Sequence, residues 1–194
     1  VTIRVLGIDP GLTRCGVGIV DVDANRVARL VEVTVIRTPS DMPLEQRLLA
    51  VGAGIEELLD RLAPDAVSLE RVFAQQNLST VMGTAQVSGV ALHAAAKRGL
   101  AVGLHTPSEV KAAITGYGSA DKKQVQAMVA RVLGLAEAPK PADAADALAI
   151  AICHAWKRGG ASTPIANGHT PAQDAWLAAE RAAAKPVANR RLAP

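Results

Sequence analysis

Ile3-Arg4-Val5-Leu6-Gly7-Ile8-Asp9-Pro10-Gly11 decides how the chain is read. An apolar run suited to a buried strand ends in an acid that has to leave the core, and Pro10-Gly11 turns the chain directly after it. Ala66-Val67-Ser68-Leu69-Glu70 repeats the device, an apolar strand closed by a carboxylate. Further on, Pro141-Ala142-Asp143-Ala144-Ala145-Asp146-Ala147-Leu148 opens a helix with two acids three residues apart, which puts both on one face. Together Asp9, Glu70, Asp143 and Asp146 have the composition of a metal cage. Like charges held a few ångströms apart raise one another's pKa and oppose folding unless a cation or protons neutralise them. With oxygen donors only, and no His or Cys at matching spacing, the set suits Mg²⁺ or Mn²⁺ and argues against Zn²⁺. The chemistry to expect is phosphoryl transfer. Two such ions roughly 3.5–4 Å apart can activate a water, clamp a phosphate and stabilise the leaving oxygen.

The elements between these acids set the fold class. Strands are expected over Ile3 to Ile8, Cys15 to Val20 and about Arg29 to Arg37; the turn composition of Asp21-Val22-Asp23-Ala24-Asn25 makes them an antiparallel meander. Leu44, Leu48, Val51, Ile55, Leu58 and Leu62 then recur at helical spacing until Pro64. After the strand that ends in Glu70 come an uncharged helix, about Leu78 to Arg98, and a fifth strand from Leu100 to His105. Thr106-Pro107-Ser108-Glu109 reads as a capping box with Pro at the first helical position, starting a short helix that runs to about Thr115 and stops at Gly116. Val125, Met128, Val129, Val132 and Leu133 mark the inner face of another helix ending at Gly134, and the last helix spans Ala142 to about Lys157. This order predicts an α/β fold, a mixed five-stranded sheet with three antiparallel strands followed by parallel ones, flanked by helices.

With 194 residues and 49% hydrophobic content, the chain can bury one sizeable core. One domain over residues 1–158 is expected, followed by a tail over 159–194. The tail is rich in Ala, Pro, Asn and Arg without sustained periodicity and should be mostly mobile, with Ala172 to Ala184 able to form a transient helix. Residues 1–158 carry 17 Lys and Arg against 16 Asp and Glu, so any affinity for a polyanion must come from individually placed cations rather than bulk charge. Cys15 and Cys153 each lie in an apolar stretch and read as reduced core residues, which suits a cytoplasmic protein, as does an N-terminus without signal-peptide character. Val72 to Ala96 carries no charge, yet Gln75, Gln76, Asn77, Ser79, Thr80, Gln86 and Ser88 argue against a membrane span. That stretch reads instead as a buried or interfacial helix.

Four motifs, taken in order, resemble the RuvC family of Holliday-junction resolvases within the ribonuclease H-like nuclease superfamily. They are Gly7-Ile8-Asp9-Pro10-Gly11, Glu70-Arg71-Val72-Phe73 with Asn77 shortly after, Gly118-Ser119-Ala120-Asp121-Lys122, and Asp143-Ala144-Ala145-Asp146-Ala147-Leu148-Ala149-Ile150-Ala151. The likeness covers about residues 3–157 and leaves the tail outside. It implies a ribonuclease H-like fold and an endodeoxyribonuclease that resolves four-way (Holliday) DNA junctions by paired symmetric nicks during recombination and repair. It further implies Mg²⁺ or Mn²⁺, two ions per site, a homodimer, and RuvA and RuvB as partners. On this resemblance Asp9, Glu70, Asp143 and Asp146 are the catalytic metal ligands. Lys111 and Lys122 match basic positions near the scissile phosphate, and Phe73 matches an aromatic that contacts unpaired or unstacked bases. Arg71 and Asp121 depart from the commoner residues of the family pattern, and neither is a ligand.

Each of these residues also has a plainer reading. Asp9 before Pro10-Gly11 could simply form the turn, Asp143 could be a helix-start charge, and Glu70 could pair with Arg71 or Arg37. The coincidence of all four acids, and of Asp146 one turn into an apolar helix, favours the cage. Lys111, Lys122 and Lys123 would ordinarily be solvated, Tyr117 could be a simple loop residue, and a lone Phe73 would by default be core. His154 lies two turns past Asp146, roughly 12 Å along the helix, and is expected to be packed rather than a ligand. Ser79 with Gly83 and Ala85 with Gly89 would allow close helix approach, either in the core or across a two-fold dimer. Among other functions, Gly7 to Thr13 also resembles the first phosphate loop of actin-like ATPases and sugar kinases, although the second domain they need is missing here. A silent junction-binding module would have no use for four clustered acids, while a related metal nuclease acting on RNA–DNA hybrids or linear DNA has the same acid signature.

Overall fold

The computed structural model describes residues 1–71 and 78–159. Phe73 and Asn77, the tail after residue 159 and its expected helix lie outside the described residues. The meander forms as expected from β1 (Ile3–Asp9), β2 (Arg14–Val22) and β3 (Ala28–Arg37). There follow α1 (Leu44–Leu62), β4 (Ala66–Glu70), α2 (Leu78–Lys97), β5 (Ala101–His105), α3 (Pro107–Thr115), α4 (Lys122–Val132) and α5 (Ala142–Gly159). The sheet runs β3-β2-β1-β4-β5. β1, β2 and β3 pair antiparallel, and β4 joins β1 and β5 in parallel. Burial along β3 does not alternate, and its pairing with β2 shifts register between Ile19 and Val20, offsetting the two halves of the strand.

Successive strand residues point to opposite faces, so the sheet has two different coats. On one face Leu6, Ile8, Val17, Ile19, Val67 and Leu69 pack on Val51, Ile55, Leu58 and Leu59 of α1 and Val87 and Ala91 of α2. Apart from Ala91 these are large side chains removed from water, each contributing about 1.5–3 kcal/mol. The other face carries Val5, Val20 and Val22 together with Gly7, Gly16 and Gly18, and it is covered by α5. A β-carbon at Gly7 would collide with the Ala147 carbonyl oxygen and lie 2.6 Å from the Ala151 nitrogen, and one at Gly16 would collide with the Asp143 carbonyl oxygen. The backbone of α5 therefore rests almost directly on β1 and β2, a contact that requires glycine on the strands and the small Ala147 and Ala151 on the helix.

From Ala144 onward α5 is buried nearly all round, as a helix apolar on every side should be, because Val110 and Ile114 of α3 and Val125 and Val129 of α4 cover its outer surface. Cys15 and Cys153 are free and buried, as expected. Among the described residues no helix is long and apolar enough to cross a membrane.

Candidate active site

The parallel register of β1 and β4 sets Ile8 beside Leu69, so the next residues, Asp9 and Glu70, leave the sheet side by side at the carboxyl ends of their strands. The alternation that aims Gly7 and Ser68 at α5 aims these two acids the same way; the Ser68 hydroxyl donates to the Ile150 carbonyl of that helix. At the first turns of α5, Asp143 and Asp146 face the strand ends. Because the helix lies so close to Gly7 and Gly16, short aspartate side chains suffice to meet across the gap. Carboxylate oxygens of Asp9, Asp143 and Asp146 all lie within 4.8 Å of one another. Glu70 is not in that trio but is near enough for its charge to act on Asp9 and for that of Asp146 to act on it.

The electrostatics match the crowding. Burial first, then the charges of Asp146, Glu70 and Asp143, push the Asp9 carboxyl up to about 7, with Lys122 acting in the opposite direction. Glu70 is raised by burial and by Asp146, and Lys122 and Lys111 oppose the shift. Two cations answer the acids on α5. The Lys122 ammonium sits 2.6 Å from Asp146 Oδ2, and Arg14 Nε sits 3.0 Å from Asp143 Oδ2. The bond to Asp146 raises the Lys122 pKa and holds the ammonium charged.

A divalent cation fits this arrangement. Opposed oxygens of an octahedral Mg²⁺ site are about 4.2 Å apart and adjacent ones about 3 Å, so three carboxylates within 4.8 Å need little adjustment to bind one ion. All three donors are hard oxygens, and the Asp9 carboxyl, pushed up to about 7 by burial and like charges, sits in an excess of negative charge that a cation relieves.

The remaining predicted residues fall around the acids. Lys111 of α3 and Lys122 of α4 line a cleft of about 230 Å³ together with Glu70 and Asp146. The expected capping box opens α3, with Thr106 accepting from the Glu109 amide and Glu109 accepting from the Thr106 amide. A second box, which the sequence reading passed over, opens α4: Asp121 accepts from the Gln124 amide, and the Gln124 side chain accepts from the Asp121 amide. That cap fixes Lys122 at the first position of α4. His154 is packed, as expected, its Nδ1 lying 3.0 Å from Nε2 of His105 on β5. Tyr117 is exposed. Phe73 is outside the described residues.

Arg14 was missed altogether. The signal for it is the alternation of β2, since Arg14, Gly16 and Gly18 share the face on which α5 lies. Nothing local, however, announces an ion pair with an aspartate 129 positions away.

A mixed sheet in this strand order, with a carboxylate cluster where the central parallel strands end against a buried helix, defines the ribonuclease H-like nuclease class. The chain belongs to the family described as crossover junction endodeoxyribonuclease RuvC, which matches residues 5–154, and is accordingly an endonuclease. It is similar to the crossover junction endodeoxyribonuclease RuvC of Leifsonia xyli subsp. xyli, 73% identical over an alignment of 206 positions that covers 99% of each chain. It is likewise similar to the structure of T. thermophilus RuvC in complex with Holliday junction substrate, with 38% identity, a TM-score of 0.77, and 81% of this chain and 95% of that one covered. The yeast mitochondrial Holliday junction resolvase Ydc2 shares the fold at 16% identity, with a TM-score of 0.57 and 80% of each chain covered.

Proposed function

We propose that the chain cuts four-way DNA junctions by paired, symmetric, divalent-cation-dependent nicks. The family match over residues 5–154 carries the substrate part of this reading, and the approach of Asp9, Asp143 and Asp146 to within 4.8 Å, with Glu70 alongside and Lys111 and Lys122 at the rim, supports the cation-dependent chemistry. Asp9, Glu70, Asp143 and Asp146 would hold Mg²⁺, or Mn²⁺ in its place, with two ions per site. When bound, the ions supply Lewis-acid charge that makes a water nucleophilic and offsets the charge of the phosphate.

The other roles belong to the chain itself. The close seating of α5, which carries Asp143 and Asp146, on the strands that end in Asp9 and Glu70 keeps the four acids fixed relative to one another as the substrate arrives. Lys122 exchanges Asp146 for a phosphate oxygen, and Lys111 adds a second positive contact on the same side. Phe73 stacks on a base near the crossover, a contact worth roughly 1–3 kcal/mol. In-line attack of water breaks the bond to the 3′ oxygen and leaves a 3′-hydroxyl and a 5′-phosphate.

Symmetric nicking requires two sites, and we infer a homodimer working in the cytoplasm beside the RuvA and RuvB branch-migration proteins. Residues 1–158 form the nuclease domain and 159–194 a tail beyond it. α2 offers a surface for the dimer, with Met82 and Leu92 exposed. Its two glycines differ. A β-carbon at Gly83 would meet Leu12 of the same chain at 3.4 Å, whereas one at Gly89 would meet nothing within 4 Å. Gly89→Leu is thus the cleaner probe, and sedimentation showing an unchanged dimer in that variant would count against this interface.

The main test is a cleavage assay on a labelled four-way junction with limited branch migration, beside linear duplex and RNA–DNA hybrid, with and without Mg²⁺ or Mn²⁺. Paired nicks confined to the junction and dependent on metal are expected. Cleavage of the hybrid or the linear duplex instead would replace the substrate while leaving the nuclease site in place.

A further inference from the structure

The acids lie between two clefts, and only one of them has been assigned a ligand. Lys111 and Lys122 serve the side of Glu70 and Asp146. On the side of Asp9 and Asp143 lies a larger cleft of about 450 Å³, walled by the turn from Pro10 to Thr13, by Arg14 and Arg47, and by Gly83 and Thr84 of α2. A DNA strand laid with one phosphate on the acids carries further phosphates to either side, so a strand neutralised at one neighbour only would leave the other facing carboxylates.

The two arginines of this cleft are held differently. Arg47 donates from Nε to the Thr38 hydroxyl at 2.9 Å and from a terminal nitrogen to the Thr13 hydroxyl at 2.7 Å, while the Thr38 amide donates to the Thr13 carbonyl. Those bonds lock the β1–β2 turn into a fixed floor. Arg14, at the mouth, has a side chain 56% exposed and pairs with Asp143, itself 19% exposed. A pair with one partner so open to solvent is weak and easily exchanged. Asp143 is also one of the three carboxylates that fit a cation. A divalent ion on that carboxylate would repel the guanidinium and offset the charge that holds it.

We propose that Arg14 is a phosphate-binding residue of the nuclease site. It parks on Asp143 while the carboxylates carry no cation, and it turns to a backbone phosphate flanking the scissile one, in the cleft floored by Arg47 and Thr13, once Asp143 binds metal. The inference rests on the nuclease reading above. Lys122 on Asp146 is its counterpart across the acids, so the two pairs act as counter-ions in the metal-free chain and as phosphate ligands in the complex. A planar guanidinium suits a phosphodiester better than an ammonium, because it can donate two parallel hydrogen bonds.

The test uses the full chain with Arg14→Gln, Arg14→Lys and Lys122→Gln, a labelled four-way junction in Ca²⁺ for binding, and Mg²⁺ for turnover. For Arg14→Gln, the slope of log affinity against log salt should fall by roughly one relative to the parent, as for loss of one phosphate contact. Its KM for the junction should rise about five- to tenfold, a larger change than in kcat, and Arg14→Lys should restore most of the salt slope. Without DNA, Arg14→Gln should bind Mn²⁺ about two- to fivefold more tightly by calorimetry, because no guanidinium competes for Asp143. An unchanged salt slope and KM in Arg14→Gln, with Lys122→Gln weakened as expected, would overturn the role of Arg14 alone. If the parent chain itself shows no salt-dependent junction binding, the nuclease reading fails first. Unchanged or weaker Mn²⁺ binding in Arg14→Gln would remove the parking contact.

Discussion

The two faces of the sheet are built by opposite rules. Toward α1 and α2 the strands offer Leu6, Ile8, Val17 and Ile19, and the helices answer with Val51, Ile55, Leu58 and Leu59, a layer of large interlocking side chains. Toward α5 the central strands offer Gly7, Gly16 and Gly18, and the helix answers with its own backbone, with alanines and, over Gly18, with Leu148. The first face gains stability from apolar area. The second gives up some of that area, and in return a helix carrying two aspartates is seated at a distance set by backbone contact, which is harder to vary than contact through flexible side chains. The acids sit at the end of the second face only, where strand ends and helix start are fixed relative to one another.

The largest expected effect separates charge from shape. Asp146→Asn or Asp9→Asn keeps the volume of the side chain and should reduce junction cleavage roughly 10³-fold or more, while junction binding stays intact or tightens as a charge opposing phosphate is lost. Turnover retained in both variants would remove the acids from the mechanism.

A sharper test sets one face against the other. Gly16→Val forces a side chain onto the Asp143 backbone and must displace the start of α5. Stability should drop by about 1–3 kcal/mol and cleavage by roughly 10²-fold, since a 1 Å misplacement of the reacting groups has that scale of effect. Ile55→Ala, fully buried on the opposite face, should lose about 2–5 kcal/mol yet leave kcat in the folded fraction within about threefold. Should Ile55→Ala impair kcat as severely as Gly16→Val, measured on samples matched for folded content, the two faces do not divide the labour.

Next in size is the electrostatic load that the second face carries. Burial and three neighbouring carboxylates hold the Asp9 carboxyl well above its usual range, so the metal-free fold bears a repulsion that Mg²⁺ or Mn²⁺ relieves. Adding either ion should raise Tm by several degrees, and chelation should reverse it. Asp9→Asn should be more heat-stable than the parent in chelator and should gain less from metal. A parent Tm indifferent to Mg²⁺ and Mn²⁺ would show that the acids do not act as a cation site at ordinary concentrations.

How much of this could be read from the residues follows the same division. The strands ending in Asp9 and Glu70, the meander, the Thr106 capping box and the inner faces of the helices are local patterns of period 2 or 3.6, and all are found at or within a residue or two of the expected positions. The glycine contacts were not foreseen, because Gly7 in a strand says only that something comes close, and the backbone that does so belongs to Ala147 and Ala151. Asp121 followed three residues later by Gln124 is a local cap signature, and its role as the N-cap of α4 is legible in the residues alone. The alternation of β2 gives the face of Arg14 but not its partner, and the Arg14–Asp143 and His105–His154 pairs depend on tertiary approach of β2 and β5 to α5.

The smallest expected effect concerns how α5 is held from its outer side. Glu109 caps α3 through the Thr106 amide and also receives the Lys157 ammonium of α5 at 2.7 Å, so it ties the covering helix to the buried one. The Lys157 bond first, then the Thr106 amide, lower the Glu109 carboxyl to about 2. A folded pKa below the unfolded value means that the contribution is fully present above about pH 4.5 and is lost as pH falls toward 2. Because both partners are exposed, screening limits the pair to under about 1 kcal/mol. Glu109→Gln should therefore lower Tm by only a few degrees at pH 7 and converge with the parent near pH 2–3, with kcat unchanged. A large loss of cleavage in this variant would mean that the outer tie, and not only the glycine contacts beneath, sets where Asp143 and Asp146 stand.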